Sequence, residues 1–235
     1  MDLKQFGVST NMENELSYRF IAHLTGQLLA FESMLLLTCC CVSMAYGESD
    51  LMAFIISSSV CIAASVMLLV YGRKKENALS RYEAYIVVAL SWVFFTIFGM
   101  LPYLLGGYIP TVTDAFFETM SGFTTTGATI LDNIDSMPHG ILFWRSLTQW
   151  IGGLGIVCFT IVLLPGFGVS CQMLYLSEAT GVTHSKICPK TRVMARYIFM
   201  VYILLTALES ALLKVGGMGL FDAVCHSMTT TATGG

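Results

Sequence analysis

Between two long apolar runs lies a stretch that cannot itself be a membrane-crossing helix: Asp114 to Thr129, DAFFETMSGFTTTGAT. It is too short to span and too rich in threonine to face lipid. The stretch is expected to be re-entrant, a short helix that dips into the membrane and returns as extended backbone. Non-helical backbone at that depth is tolerated only where protein or a water-filled cavity satisfies its polar groups. Gly127 can take backbone angles that other residues resist. Neighbouring carbonyls can then point into a water-filled path and replace the hydration of an ion. The rest of the chain reads as a frame for this loop.

Composition supports such a frame. Of 235 residues, 55% are hydrophobic and only 11% are charged, against about 25% charged in soluble domains. That balance excludes a soluble globular domain and implies an integral membrane protein. Residues 1–27 are too polar and charged to read as a cleaved leader. The eight cysteines include no CxxC pair, and Cys39-Cys40-Cys41 lie inside an apolar run. They read as buried thiols, since free cysteine behaves as a small hydrophobe. No phosphate-binding glycine loop follows a strand, because Gly152–Gly155 lie inside an apolar span. Nucleotide binding by this chain is therefore not expected.

In chain order, residues 1–27 form a polar lead with an amphipathic helix near Leu16–Leu24. Spans follow at Leu28–Tyr46 and Leu51–Tyr71, joined by the acidic turn Gly47-Glu48-Ser49-Asp50. Each is near the roughly 20 residues that cross a hydrocarbon core. A third span, Tyr85–Gly107, is expected to break at Pro102; a fourth runs Ile141–Leu164 and a fifth Tyr197–Val215. Basic residues cluster at 73–81 and 186–196, while the turns at 47–50 and 130–140 are acidic. Positive loops stay in the cytoplasm, so the N-terminus is expected inside and the loop at 114–129 enters from outside. Lys214 lies near an outer end, where it can snorkel.

The chain also repeats itself. Asp114–Gly127 lies over Asp222–Gly235 without gaps, matching Asp114 to Asp222, Met120 to Met228, Thr125 to Thr233 and Gly127 to Gly235. Each copy follows a long apolar helix and a glycine-containing turn, and both enter from the same side, so the repeat is parallel. The expected fold is an all-α membrane protein: an N-terminal helical hairpin, then helix–pore-loop–helix units of potassium-channel type, the second incomplete.

Three stretches carry a family resemblance: TDAFFETMSGFTTTGAT at 113–129, MPHGILFWRSLTQWIGGLGI at 137–156 and FDAVCHSMTTTATGG at 221–235. With the hairpin ahead of them, they resemble the Trk/Ktr superfamily of potassium transporters, in its TrkH branch. The resemblance implies potassium uptake across the bacterial inner membrane, by channel-like conduction through a carbonyl-lined selectivity filter. Potassium is the substrate and no cofactor or enzyme chemistry is implied. It also implies four helix–loop–helix units in one polypeptide, a homodimer, and a cytosolic nucleotide-binding RCK-type regulatory subunit. Lipid surrounds the spans, and no nucleic acid is implied. The expected division is 1–27 cytoplasmic segment, 28–83 hairpin, 84–165 first pore unit, 166–196 cytoplasmic loop and 197–235 start of a second unit. The chain thus matches the N-terminal portion of such a transporter. Other readings are a non-conducting assembly fragment, or a membrane-embedded hydrolase or transferase.

On this resemblance Thr124, Thr125, Thr126, Gly127 and Ala128 form the first filter segment, and Ala232, Thr233, Gly234 and Gly235 its second copy. Their backbone carbonyls would coordinate potassium. Asp114 and Asp222 are expected to cap the pore helices, where a carboxylate meets free N–H groups. Arg145, with Gln149 near it, lies in a span. An arginine there needs a partner and is expected to brace the loop; Glu118 is one candidate partner, its other readings being to attract cations to the mouth or to bond nearby backbone groups. Gly152, Gly153 and Gly155 allow close helix approach. Glu209 reads as an interhelical hydrogen-bonding group. His184 and His226 lack ligand spacing.

Overall fold

The computed structural model describes residues 18–72, 81–134, 136–163 and 191–234, with side chains over 18–72, 86–134, 136–155 and 196–234. The basic clusters at 73–80 and 186–190, His184 and Gly235 lie outside those residues. Among the described residues every regular element is a helix: α1 Tyr18–Tyr46, α2 Leu51–Tyr71, α3 Arg81–Gly99, α4 Leu101–Leu105, α5 Val112–Phe123, α6 His139–Leu163, α7 Thr191–Val215 and α8 Leu220–Thr231. Four stretches are long and apolar enough to cross a membrane: Tyr18–Tyr46, Leu51–Tyr71, Ile86–Leu105 and Arg196–Val215. The expected fourth span falls on α6, whose side chains are described only to Gly155.

Helix α1 starts at Tyr18, ahead of the expected Leu28, so the described part of the polar lead is continuous with the first span. The cause is its partner. Phe20, Ile21, Thr25 and Gly26 extend the buried stripe of Leu29, Glu32 and Leu36, and α2 is long enough to cover them. Small residues bring the two helices close. Ser65 donates to the Gly26 carbonyl at 2.7 Å, and the Cys61 thiol donates to the Leu29 carbonyl at 3.3 Å. Hydroxyls at such seams satisfy carbonyls that lipid cannot.

The break near Pro102 falls just ahead of it. Proline lacks the N–H that would bond a turn back and its ring crowds that turn. Met100 still donates to Thr96 at 3.0 Å, and the helix resumes as α4, with Leu104 donating to Met100 at 3.2 Å. Trp144, fully buried on α6, donates its indole N–H to the Gly99 carbonyl at 2.9 Å. The chain then turns through Gly107, at φ 71°, into α5.

Helices α5 and α8 have 12 residues each. At 1.5 Å per residue that is about 18 Å, well short of the roughly 30 Å hydrocarbon core. Neither crosses alone. Both lean on α6, which packs against α1, α5, α7 and α8. The core around α6 joins Phe123, Trp144, Leu147 and Ile141 to Leu36, Phe54 and Tyr103.

Candidate functional site

Thr111 caps α5, its hydroxyl accepting from the Asp114 N–H at 3.1 Å. This corrects the expectation for Asp114, which stands in the first turn rather than at the cap. There its negative charge still favours the positive end of the helix. At the other end Thr125 donates to Gly122 at 2.9 Å and Thr126 to Ser121 at 3.0 Å, with Thr125 at φ 56°. This pair of bonds is the Schellman termination, which normally places glycine at the left-handed position. A β-branched residue there is an outlier, of the kind that collects at functional sites.

Beyond the turn the chain runs without regular structure from Thr126 to Ile130. Gly127 lies at φ 74°, and the hydroxyls of Thr124 and Thr126 pair at 2.9 Å. Ala128 departs from expectation. Its carbonyl accepts the buried Ser121 hydroxyl at 2.6 Å and so turns back toward α5 instead of outward. Ser121 is buried on α5, and its short side chain spans the gap to the return segment.

Glu118 holds the end of that segment. Its carboxylate, 3% exposed, accepts from Thr129 Oγ1 at 3.0 Å, from the Ile130 N–H at 3.0 Å and from Arg145 Nε at 2.7 Å. Three donors, one from α6 and two from the return segment, meet at this one carboxylate of α5. Charge-assisted bonds of this type are shorter and stronger than neutral ones. A buried carboxylate is tolerable because it is both paired and hydrogen-bonded.

The second copy repeats this backbone geometry. Thr233 has φ 62°, donates to Thr230 at 2.8 Å, and is followed by Gly234 donating to Thr229 at 2.9 Å. Each bond falls on the residues aligned with Gly122, Thr125, Ser121 and Thr126. Asp222 again sits in the first turn, and the cap position is Gly219, which has no side chain to bond. Asp222 therefore also departs from the expected cap, and its carboxylate folds back so that a Cβ on Gly219 would lie 2.8 Å from Oδ2. His226 occupies the place of Glu118 and is exposed.

The two segments meet at Gly127, where a Cβ would overlap the carbonyl oxygen of Gly234. Consecutive glycines of α6 seat the two short helices. A Cβ on Gly152 would overlap the Phe123 carbonyl, and one on Gly153 would lie 3.2 Å from Ala232. Tyr202 and Thr206 of α7 complete the second seat. The Tyr202 hydroxyl donates to the Trp150 carbonyl at 3.0 Å, Trp150 Nε1 donates to Thr206 at 3.0 Å, and Thr206 lies 3.3 Å from Thr231 Oγ1.

Two features escaped the reading of the sequence. The acidic turn does more than mark a side: Glu48 accepts from the His139 N–H at the start of α6 and pairs with its ring Nδ1 at 2.7 Å. Tyr46 stacks on the same ring at 3.9 Å, and Phe221 of α8 meets it edge-on. Glu32, 1% exposed on α1, lies close to Gly99 of α3, with Oε1 unpartnered among the described residues and Oε2 4.0 Å from the Cys61 thiol. A single carboxylate inside an apolar run was the available signal for it, since such a group in a span is expensive. Glu209 is half-buried on α7. Among the described residues no cluster of three His, Cys, Asp or Glu side chains is placed to hold a metal. Cys39, Cys40 and Cys61 are buried free thiols, whereas Cys41, expected to be buried with them, is exposed.

Apolar helices of membrane-crossing length, gathered around two short helices with matching left-handed ends, define an all-α integral membrane protein of transport type. The chain belongs to the TrkH family: the family model described as a cation transport protein matches residues 50–235. Members of this family are transport proteins, not enzymes. Over 220 residues the chain is 36% identical to the Trk system potassium uptake protein TrkH of Escherichia coli strain K12, covering 93% of this chain and 46% of that protein. It is 34% identical to the Trk system potassium uptake protein TrkI of Halomonas elongata over 189 residues, covering 80% of this chain and 38% of the relative. The crystal structure of the potassium transporter TrkH from Vibrio parahaemolyticus superposes with a TM-score of 0.76 at 31% identity, over 90% of this chain and 42% of that one. The chain thus spans about half the length of the curated relatives it matches.

Proposed function

We propose that this chain contributes one complete helix–pore-loop–helix unit and the opening of a second to a potassium uptake protein of the bacterial inner membrane. Residues 84–165 form the first unit and 197–235 begin the second; 28–83, with the start of α1 ahead of them, form a flanking hairpin, and the segment before α1 and residues 166–196 are cytoplasmic. Potassium passes down the membrane potential along the backbone carbonyls of Thr124 to Gly127 and of Ala232 to Gly235, without a cofactor. The full-length protein works as a homodimer under a cytosolic RCK-type regulatory subunit.

The observation that carries this reading is the approach of Gly127 to the Gly234 carbonyl, between two segments ending in the same left-handed turn. Carbonyls brought together from repeated segments are what a dehydrated cation requires. Gly127→Ser, carried in the full-length transporter, is expected to loosen the preference for potassium over sodium, because a Cβ there drives the two segments apart. Uptake of both ions by cells lacking other potassium systems measures it. An unchanged ion preference at normal membrane abundance would remove Gly127 from the filter.

A further inference from the structure

We infer that Gln149 is the positioning residue of the second filter segment. Its carboxamide takes the place of the hydroxyl pair that Thr124 and Thr126 supply to the first. The inference rests on the proposed filter reading.

The argument starts from the mismatches in the repeat. Thr124 and Thr126 align with Ala232 and Gly234, so the second copy lacks both hydroxyls. In the first copy these hydroxyls pair with each other at 2.9 Å, and Thr124 also donates to the Met120 carbonyl at 2.8 Å. They stiffen the turn from which the segment departs. Nothing in the backbone of the second copy forbids a side chain at 234: Gly234 lies outside the left-handed region that demands glycine. A side chain there would meet α6 and have to displace the buried Gln149 carboxamide. A Cβ on Gly234 would lie 2.5 Å from Gln149 Oε1 and 2.9 Å from its Cδ. Ala232 also faces α6, where a Cβ added to Gly153 would lie 3.2 Å from Ala232 Cβ.

Gln149 is suited to this place. It is 2% exposed, and its Oε1 takes no hydrogen bond among the described residues. It stands four residues after Arg145, on the same face of α6 and one turn further along. Arg145 reaches the first segment through Glu118, while Gln149 lies directly on the second. One helix face thus braces both segments, by an ion pair on one and a carboxamide on the other. Gly234 is held between the Gly127 backbone in front and Gln149 behind. A polar group of this size, buried against a backbone whose carbonyls must stay aligned, fixes position within a few tenths of an ångström because interiors are close-packed.

The test is compensation in the full-length transporter, read as potassium, rubidium and sodium uptake with membrane abundance measured alongside. Gly234→Thr alone is expected to lower potassium uptake about tenfold or more, as overpacking does. Adding Gln149→Ala makes room for the threonine and is expected to recover most of it. Gln149→Ala alone is expected to relax the preference for potassium over sodium at normal abundance. Gly127→Ser serves as the reference, and Gln149→Ala should not relieve it, because its obstacle is backbone. A double variant no better than Gly234→Thr, or a Gln149→Ala protein with native ion preference, overturns the inference while Gly127→Ser still alters selectivity. If Gly127→Ser itself leaves ion preference unchanged, the filter reading falls, and this inference with it.

Discussion

Arg145 and Glu118 decide how firmly the return segment is held. The pair is largely out of solvent, with side chains 17% and 2% exposed and Nε to Oε1 at 2.7 Å. Removing one partner of such a pair strands the other's charge, which costs about 3–5 kcal/mol. Arg145→Ala is therefore expected to destabilise by that order, seen as a lower melting midpoint of the solubilised protein. Adding Glu118→Gln to Arg145→Ala should recover part of the loss, since no charge is then stranded. If the double variant melts lower still, Glu118 matters mainly for its bonds to Thr129 and Ile130 rather than for its charge.

Helix α6 works as a partition between the two short helices, and its glycines set the spacing. Gly152 and Gly155 look equivalent as small residues in a span, yet the structure separates them. A Cβ on Gly152 meets the backbone of Phe123, which cannot rotate away, whereas one on Gly155 meets, among the described residues, only Trp92 at 3.8 Å. Gly152→Ala is expected to cost about 1–3 kcal/mol by overpacking, and Gly155→Ala close to nothing. Melting of the two single variants side by side checks it; equal losses would mean the seat of α5 on α6 is soft. The same element shows why Asp114 and Asp222 misled as caps. Both carboxylates favour the helix start, but the cap needs a residue with extended backbone angles just before it. Thr111, at φ −102° and ψ 141°, meets that condition.

Across the whole molecule, the hairpin of α1 and α2 docks on the first unit through small contacts at its acidic turn. Glu48 meets the first N–H groups of α6, where a negative charge complements the helix dipole, and Asp50 lies fully buried against Gly140 after accepting from Ser43. Capping groups of this kind contribute about 1 kcal/mol. Glu48→Ala is expected to lower stability by that amount, measured by thermal melting. An unchanged midpoint would leave the docking to apolar packing alone. The exposed outer stripe of α7, Leu204, Leu205, Leu208 and Leu212, meets no described residue closely enough to bury it, as suits a helix facing lipid.

Hydropathy and length by themselves determined the spans of α2, α3 and α7, because a membrane selects apolar runs of one length whatever they pack against. The same holds for the shortness of α5 and α8, and the repeat placed their ends in register. Tertiary structure decided what depends on neighbours distant in the chain. The extra turns of α1 exist because α2 covers them. The carbonyl of Ala128 turns inward to accept from the buried Ser121. The space beside Gly234 is occupied by Gln149, which comes from another helix. Local pattern carries no record of such neighbours, since their positions are fixed only when the helices close on one another.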